Sequence, residues 1–200
     1  MQEQVVLKYG SAPEVVRDRT MIQYVRNGVL YATEDHWVFR SRDNGNHWEV
    51  VCRLEPRGNG RTTVFKDFLL RSRPVRSIRR NIGIHNLVVL ESGTVLIQYD
   101  GIYRYNGESG CARRVFGFRE NSVRTPLKNG FVLDEQTGNV YWGEYRISRR
   151  EPVKIFRGTE DGKKWEECFR FPAGRIRHVH SIVPDRFRNR LWICTGDSNE

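Results

Sequence analysis

The sequence lacks long hydrophobic runs, and it contains few cysteines. No apolar stretch approaches the roughly 18 residues of a membrane-spanning helix, and the start MQEQVVLKYG lacks the basic and apolar parts of a signal peptide. Both absences argue against a membrane partner, and a cytoplasmic setting is the default, with secretion not excluded. The cysteines form no C-x-x-C pair and do not have the spacing of metal ligands. We expect Cys168 and Cys194 to be buried thiols.

Lysine is scarce among the basic residues. Only six of the 34 Lys and Arg residues are lysine, and the formal net charge is +10. Arginine favours planar, two-pronged contacts with carboxylates and phosphates, so the charge balance suits a glycan or another anionic ligand. The tightest basic cluster, at 71–80, has no nucleic-acid motif beside it, and we do not favour nucleic acid as a partner. A solvated, arginine-rich surface without any partner is the alternative.

Short apolar runs separated by turn residues predict β-strands almost throughout the chain. These strands group in fours: complete units cover 85–118 and 130–171, while 28–54 supplies three strands and 179–197 supplies two. Only 61–80 has a helical pattern, which Pro74 ends, and we expect this segment to connect two units. The repeat predicts an all-β fold of β-propeller blades, two full and two partial, in a single domain over 1–200.

Two similar stretches, SRDNGNHW (41–48) and TEDGKKW (159–165), fall on the turn between the third and fourth strands of their units. An aspartate side chain at such a turn can accept hydrogen bonds from turn N–H groups. A following glycine can adopt positive φ, and the tryptophan can fold back between strands. The residues concerned are Ser41, Asp43, Gly45 and Trp48 in the first copy, and Thr159, Asp161, Gly162 and Trp165 in the second.

The spacing of these two motifs resembles the Asp-box of the BNR-repeat, sialidase-like β-propellers. The resemblance covers about 170 residues and implies that the Asp-box residues are structural and lie away from the ligand. We expect the chain to be the front part of a longer propeller. A complete chain of this kind would have exposed strand edges or would pair with another copy.

The expected ligand face is the one opposite the Asp-boxes, formed by residues just before each first strand and just after each second strand. Histidines, carboxylates and arginines are enriched at these positions. The residues before a first strand are His85, Arg124, Arg177, His178 and His180, and those after a second strand are Glu34, Asp35, Tyr99, Asp100, Glu144, Tyr145, Asp197 and Glu200.

Two stretches of this face carry candidate chemistry. In RIRHVHSI, His178 and His180 point to one side of a strand, and with His85 they could hold a divalent metal with an open position. In YWGEY, Glu144 could act as a general acid or base, and Gly143 could allow a ligand or loop to approach the backbone closely. The alternatives are hydrogen bonds to neighbouring loops for the histidines and a salt bridge for Glu144.

The sialidase resemblance implies three arginines on the substrate carboxylate, a tyrosine nucleophile with a glutamate, and an aspartate acid/base. RTP (124–126) is similar to the family's R-I-P motif and makes Arg124 a substrate-binding candidate. Glu144 and Tyr145 are the matching residue types, but neighbours in a strand point to opposite sides. The remaining arginines and the aspartate have no match in this sequence.

Three functions follow from these residues. The first is a glycoside hydrolase with Glu144, Asp197 and Tyr145 as catalytic residues and Arg124, Arg177, His85 and Asp100 binding substrate. The second is a metal-assisted polyuronate lyase that uses His85, His178 and His180. The third is a non-catalytic propeller that binds a glycan or a protein at the same face, since the fold alone does not decide function.

Overall fold

The computed structural model describes residues 21–54, 83–108, 110–147 and 150–196. Within these ranges the chain is all-β, with fourteen strands and one 3-10 turn at Lys128–Gly130, and it has no helix long and apolar enough to cross a membrane. The predicted helix within 61–80 lies outside the described residues. The strands are β1 Met21–Arg26, β2 Val29–Glu34, β3 Trp37–Ser41, β4 Glu49–Leu54, β5 Asn86–Val89, β6 Val95–Gln98, β7 Gly101–Tyr105, β8 Cys111–Gly117, β9 Phe131–Leu133, β10 Val140–Gly143, β11 Val153–Thr159, β12 Lys164–Phe171, β13 Val179–Asp185 and β14 Arg190–Thr195.

Most strands pair antiparallel with their neighbours in the chain, but β8 pairs in parallel with β4, so the predicted unit over 85–118 is not a separate group of four. The propeller blades therefore stay a prediction. β1 to β4 form one meander, β5 to β7 form the start of a second, and β9 to β12 form a third. β13 and β14 form a hairpin. The sequence analysis missed β1, whose side chains Met21, Ile22 and Val25 are more than half exposed, because it has no alternation between a buried and a polar face.

The described residues divide into two compact units. Unit 1 comprises the described residues up to His85 together with Gly107–Arg113, and unit 2 comprises Asn86–Asn106 and the described residues from Arg114 onward. In unit 1, the end of β4 pairs in parallel with the start of β8, and Ala32, Phe39 and Trp48 form a core cluster. In unit 2, Val153, Ile155, Ile176, Val179 and Ile182 form another cluster. The single domain over 1–200 stays a prediction.

The four cysteines are free thiols with different surroundings. Cys52 is buried in unit 1, and this burial raises its pKa to about 12. Cys168 on β12 and Cys194 on β14 are both exposed, so the expectation that they are buried is wrong. Both strands have largely exposed residues in the described structure, which the apolar composition of these runs concealed.

The turn between β3 and β4 is closed by the first motif as predicted. Asp43 Oδ1 accepts a hydrogen bond from the backbone N–H of His47 at 2.8 Å and one from the Ser41 hydroxyl at 2.8 Å. Ser41 Oγ in turn accepts from the N–H of Gly45 at 2.8 Å, and Gly45 has a φ of 94°. The bond from the His47 N–H is the main reason that the pKa of Asp43 falls to about 2. The first motif therefore acts on its own turn.

The second motif, between β11 and β12, departs from this expectation. Gly162 has the expected positive φ of 77°, but the carboxylate of Asp161 is bound by side chains of other strands and turns. It accepts hydrogen bonds from Ser92 and Thr94 in the β5–β6 turn and from the Arg104 guanidinium on β7. Arg104 Nε also donates to the Asp161 carbonyl at 2.9 Å. The aspartate therefore joins two meanders of unit 2.

Both motif tryptophans fold back onto their own meanders, as predicted. Trp48 is 8% exposed and packs with Ala32 and Phe39. The ring of Trp165 lies so close to Gly158 that a β-carbon there would be 2.7 Å from it, and its Nε1 donates to the Gly162 carbonyl at 3.0 Å. These contacts support the structural role that the sequence indicated for both motifs.

Asp161→Asn should destabilise the protein by about 1–3 kcal/mol, because it weakens three bonds and leaves Arg104 without its charge partner. Partial burial opposes ionisation of Asp161, but the bonds from Ser92, Thr94 and Arg104 outweigh it and lower its pKa. A lowered folded-state pKa stabilises the fold above the unfolded-state value of about 3.9, and this contribution is lost as the pH falls. Urea unfolding of wild type and variant at pH 7 and pH 3 measures both effects.

Asp43→Asn is the matched control for Asp161→Asn, because it removes a carboxylate that closes only its own exposed turn. We expect the smaller loss of stability from this control, because solvent screens the exposed Asp43 carboxylate and an asparagine oxygen can accept the same bond from the His47 N–H. Equal losses in the two variants, or a difference between wild type and Asp161→Asn that grows on acidification, would contradict the proposed role of Asp161.

Candidate functional site

The end of unit 2 opposite the Asp161 turn brings several predicted site residues together. Glu144 and Tyr145 follow β10, and Val179 begins β13. The Val179 N–H donates to the Glu144 carbonyl at 3.0 Å, and Tyr145 forms an isolated antiparallel bridge with His178. The Arg124 N–H donates to Glu144 Oε1 at 2.9 Å. Loops that are distant in the sequence therefore meet at the Glu144–Tyr145 segment, as the strand order predicted.

Glu144 is a fully buried carboxylate with four hydrogen-bond donors. Besides the Arg124 N–H, it accepts from the Lys154 N–H at 2.9 Å. Arg146 donates through Nε at 3.1 Å and Nη2 at 2.8 Å. The side chain is 0% exposed. A charged group is stable away from water only when it is paired and hydrogen-bonded, and these donors meet that requirement.

These contacts bear on the predicted catalytic role of Glu144. A general acid or base must reach the proton that it transfers on the substrate. Both oxygens of the Glu144 carboxylate are instead bound by donors of its own chain. The geometry favours the alternative, a structural salt bridge to an arginine. Tyr145 stacks on the His178 ring, with the ring centroids 4.3 Å apart. The third catalytic candidate, Asp197, lies outside the described residues.

Arg146 was missed by the sequence analysis, although it completes the buried ion pair. It lies two residues after Glu144, so an extended chain places the two side chains on the same side. Arg146 also contacts the exposed carboxylate of Glu151, and its side chain is 9% exposed. The i, i+2 spacing of opposite charges in GEYR was the available signal.

Gly143 allows a close approach to its backbone, as predicted, but the approaching group is a side chain of the same protein. A β-carbon at Gly143 would lie 2.6 Å from the Val179 side chain. Val179 is 0% exposed and belongs to the unit 2 core. The glycine therefore seats the start of β13 against β10 and positions the histidines on either side of Val179.

His178 and His180 form an imidazole pair at the start of β13. Their Nε2 atoms are 3.0 Å apart, and His178 Nδ1 is 2.9 Å from the Arg146 carbonyl. His178 is 2% exposed, whereas His180 is exposed. The predicted hydrogen bonds of these histidines to neighbouring loops are thus present for His178.

The remaining predicted residues lie in different surroundings. Arg124 and Arg177 are exposed in unit 2, and Asp100 accepts a hydrogen bond from the Tyr103 hydroxyl at 2.8 Å. His85 belongs to unit 1, where burial lowers its pKa. Among the described residues, no group of three His, Cys, Asp or Glu is arranged to hold a metal ion. The lyase hypothesis therefore gains no support from this part of the chain.

No protein-family model and no curated protein matches the sequence. Among solved structures, the chain is similar to an ancestral GH74 enzyme, with a TM-score of 0.54 and 14% identity over 83% of this chain and 20% of that one. It is also similar to the extracellular domain of a B. thetaiotaomicron protein described as a one-component system, with a TM-score of 0.54 and 11% identity over 94% and 21% of the two chains.

A third similar structure is a Bacteroides uniformis protein described as a 6-phosphogluconolactonase, with a TM-score of 0.50 and 10% identity over 87% of this chain and 46% of that one. At these identities the likeness concerns the fold. The chain spans about a fifth of the length of the first two structures and less than half of the third.

Glu144→Gln should destabilise the protein by about 3–5 kcal/mol, because it removes the buried carboxylate and leaves Arg146 with only the exposed Glu151 as a charge partner. The glutamine NH₂ group would also face N–H donors that the carboxylate oxygen accepted from. Urea unfolding followed by circular dichroism measures the change. Glu151→Gln is the matched control, since Glu151 contacts the same arginine but is 61% exposed, and it should cost less than about 1 kcal/mol. Equal effects would contradict the assignment of Glu144 as the buried partner.

Proposed function

We propose that this chain is a segment of a β-propeller that recognises an anionic glycan at the Glu144 end of unit 2. Support for the propeller comes from the antiparallel meanders β1 to β4 and β9 to β12. The likeness to a GH74 enzyme and to an extracellular sensor domain with propeller-like folds supports it as well. The sialidase-like motifs at the opposite strand ends are consistent with this reading, because the structural turns and the ligand-binding loops of a blade lie at opposite ends.

The observation that carries the proposal is that Glu144 binds the backbone of exposed Arg124 and the backbone of Val179, which follows exposed Arg177 closely in the chain. Glu144 holds the backbone of Arg124 through its side chain and the backbone of Val179 through its carbonyl. Arg177 lies two residues before Val179 and is exposed. Guanidinium groups on fixed loops bind carboxylates and sulfates with less loss of entropy than groups on loose loops. The site therefore suits sialic acid, uronic acid or sulfated sugars.

Hydrolysis of the bound glycan is a second candidate, favoured by the likeness to the GH74 enzyme over 83% of this chain. Since Glu144 is held by four internal donors, its part in such a reaction would be to position the Arg124 loop. Asp197 and Tyr145 remain the candidates for contact with the reacting sugar. These two residue types match the sialidase variant of this reaction, in which a tyrosine nucleophile takes the place of the usual second carboxylate.

Arg124→Ala and Arg177→Ala should each weaken binding of sialylated, uronate or sulfated oligosaccharides by at least about tenfold, the effect of losing one charge-assisted contact. Binding of the 200-residue chain is measured on a glycan array and then by calorimetry at 50 and 300 mM salt. Affinity should fall as salt rises, because exposed charges are screened.

Arg188→Ala is the matched control for the two arginine variants. Arg188 is also exposed and pairs with Asp185, but it lies in the β13–β14 turn, at the other end of β13 from Arg177. Its loss should leave binding unchanged. Equal weakening in all three variants, or equal affinity for neutral and anionic glycans, would overturn the proposed site.

Hydrolysis is tested by incubating the chain with fluorogenic sialosides, uronides and neutral glycosides, each with and without EDTA. The hydrolase candidate predicts EDTA-resistant release from one anionic class and at least about a hundredfold slower release by Asp197→Asn, the usual scale for losing a proton-transfer group. Release that Asp197→Asn leaves unchanged would remove Asp197 from the mechanism. Glycan binding without release would support recognition as the whole function.

A further inference from the structure

The imidazole pair of His178 and His180 has a geometry that a metal ion could use. The two Nε2 atoms face each other at 3.0 Å, and the rings are nearly perpendicular, at 79°. Two nitrogens at this distance must share a proton or a cation, because two lone pairs facing each other would repel. A hydrogen bond between neutral rings meets this need, and a metal ion that binds both lone pairs meets it as well.

The hydrogen bond at the other nitrogen of His178 defines its protonation. A carbonyl oxygen only accepts, so the 2.9 Å contact between His178 Nδ1 and the Arg146 carbonyl requires the hydrogen on Nδ1. In the neutral ring the lone pair is then on Nε2, directed at His180. A histidine that donates its second N–H to a backbone carbonyl is the arrangement that fixes and strengthens metal-ligating imidazoles.

The separation of the two nitrogens also indicates the kind of metal. Metal–imidazole bonds of about 2.0–2.1 Å with the nitrogens 3.0 Å apart correspond to an N–M–N angle of about 90°. This angle joins neighbouring positions of a square-planar or octahedral ion, whereas a tetrahedral zinc site needs a wider one. Cu²⁺ and Ni²⁺ prefer the former geometries with imidazole ligands.

Charge and access around the pair are compatible with a cation. The guanidinium of Arg146, whose carbonyl contacts His178, is paired with Glu144 and Glu151, so its charge is compensated. His180 is exposed and gives the site an opening. The backbone of Gly196 lies against the His180 ring, where a β-carbon would be 1.9 Å from Nε2. The absence of a side chain at Gly196 thus keeps His180 in place beside His178.

We propose that His178 and His180 form a two-nitrogen site for Cu²⁺ or Ni²⁺ in which water completes the coordination. The ion replaces the hydrogen between the two Nε2 atoms, and the neutral His180 ring then carries its hydrogen on Nδ1, so that both Nε2 lone pairs bind the ion. The site uses neither His85 nor the glycan-binding arginines, so it stands or falls independently of the proposed function.

The test is titration of the 200-residue chain with CuCl₂ and NiCl₂ by calorimetry, together with the electron paramagnetic resonance spectrum of the copper form. We expect one saturable ion per chain and nitrogen hyperfine structure from two imidazoles. His180→Gln should weaken binding at least tenfold and remove one nitrogen from the spectrum. It should keep the fold, because His180 is exposed.

Two further variants make the test decisive. Gly196→Ala keeps both histidines but places a methyl group in the position of the His180 ring, and it should also weaken binding at least tenfold. His47→Gln removes an exposed histidine that pairs with Asp43, and it should leave binding unchanged. Affinity unaffected by His180→Gln and Gly196→Ala, or lost in His47→Gln, would overturn the proposal.

Discussion

The arrangement of the candidate site depends on one buried carboxylate, that of Glu144. Its four hydrogen bonds come from two backbone N–H groups and from one arginine. Burial of an ionised carboxylate without these bonds would cost free energy. The bonds therefore fix the loops that supply the donors around the Glu144 side chain. The Arg124 loop, the start of β11 and the GEYR segment are thereby joined at one point of unit 2.

The same dependence extends to the imidazole pair. The Glu144 carbonyl accepts from the Val179 N–H, and Gly143 lets the Val179 side chain reach the β10 backbone. Val179 lies between His178 and His180, so its contacts fix the two residues on either side of it. Arg146 acts on this segment too, because its carbonyl binds His178 Nδ1 while its guanidinium binds Glu144. The proposed glycan and metal sites therefore share one framework while using different atoms.

The strand pattern was predictable from the sequence, because strand formation depends on local alternation and on turn residues that short windows contain. The end of unit 2 at which Glu144, Tyr145 and His178 meet was predictable for a related reason, since the direction of each strand in a meander follows from the previous one. β1 was not predictable in this way, because its exposed apolar side chains show no alternation. The exposure of Cys168 and Cys194 depends on what packs on β12 and β14, which no local pattern records.

The two Asp motifs show where the limit of sequence reasoning lies. Both copies specify a turn with a positive-φ glycine, and both tryptophans fold back, because these features need only neighbours in the chain. The partners of the aspartates differ because Asp43 meets the N–H of its own turn, whereas Asp161 meets hydroxyls and a guanidinium from the preceding meander. The role of Glu144 likewise depends on distant residues. Its residue type suggested a catalytic acid or base, but the ion pair with Arg146 and the N–H donors of Arg124 and Lys154 make it a structural carboxylate. A polar side chain in a repeat is therefore interpretable only together with the residues that the adjacent repeat presents to it.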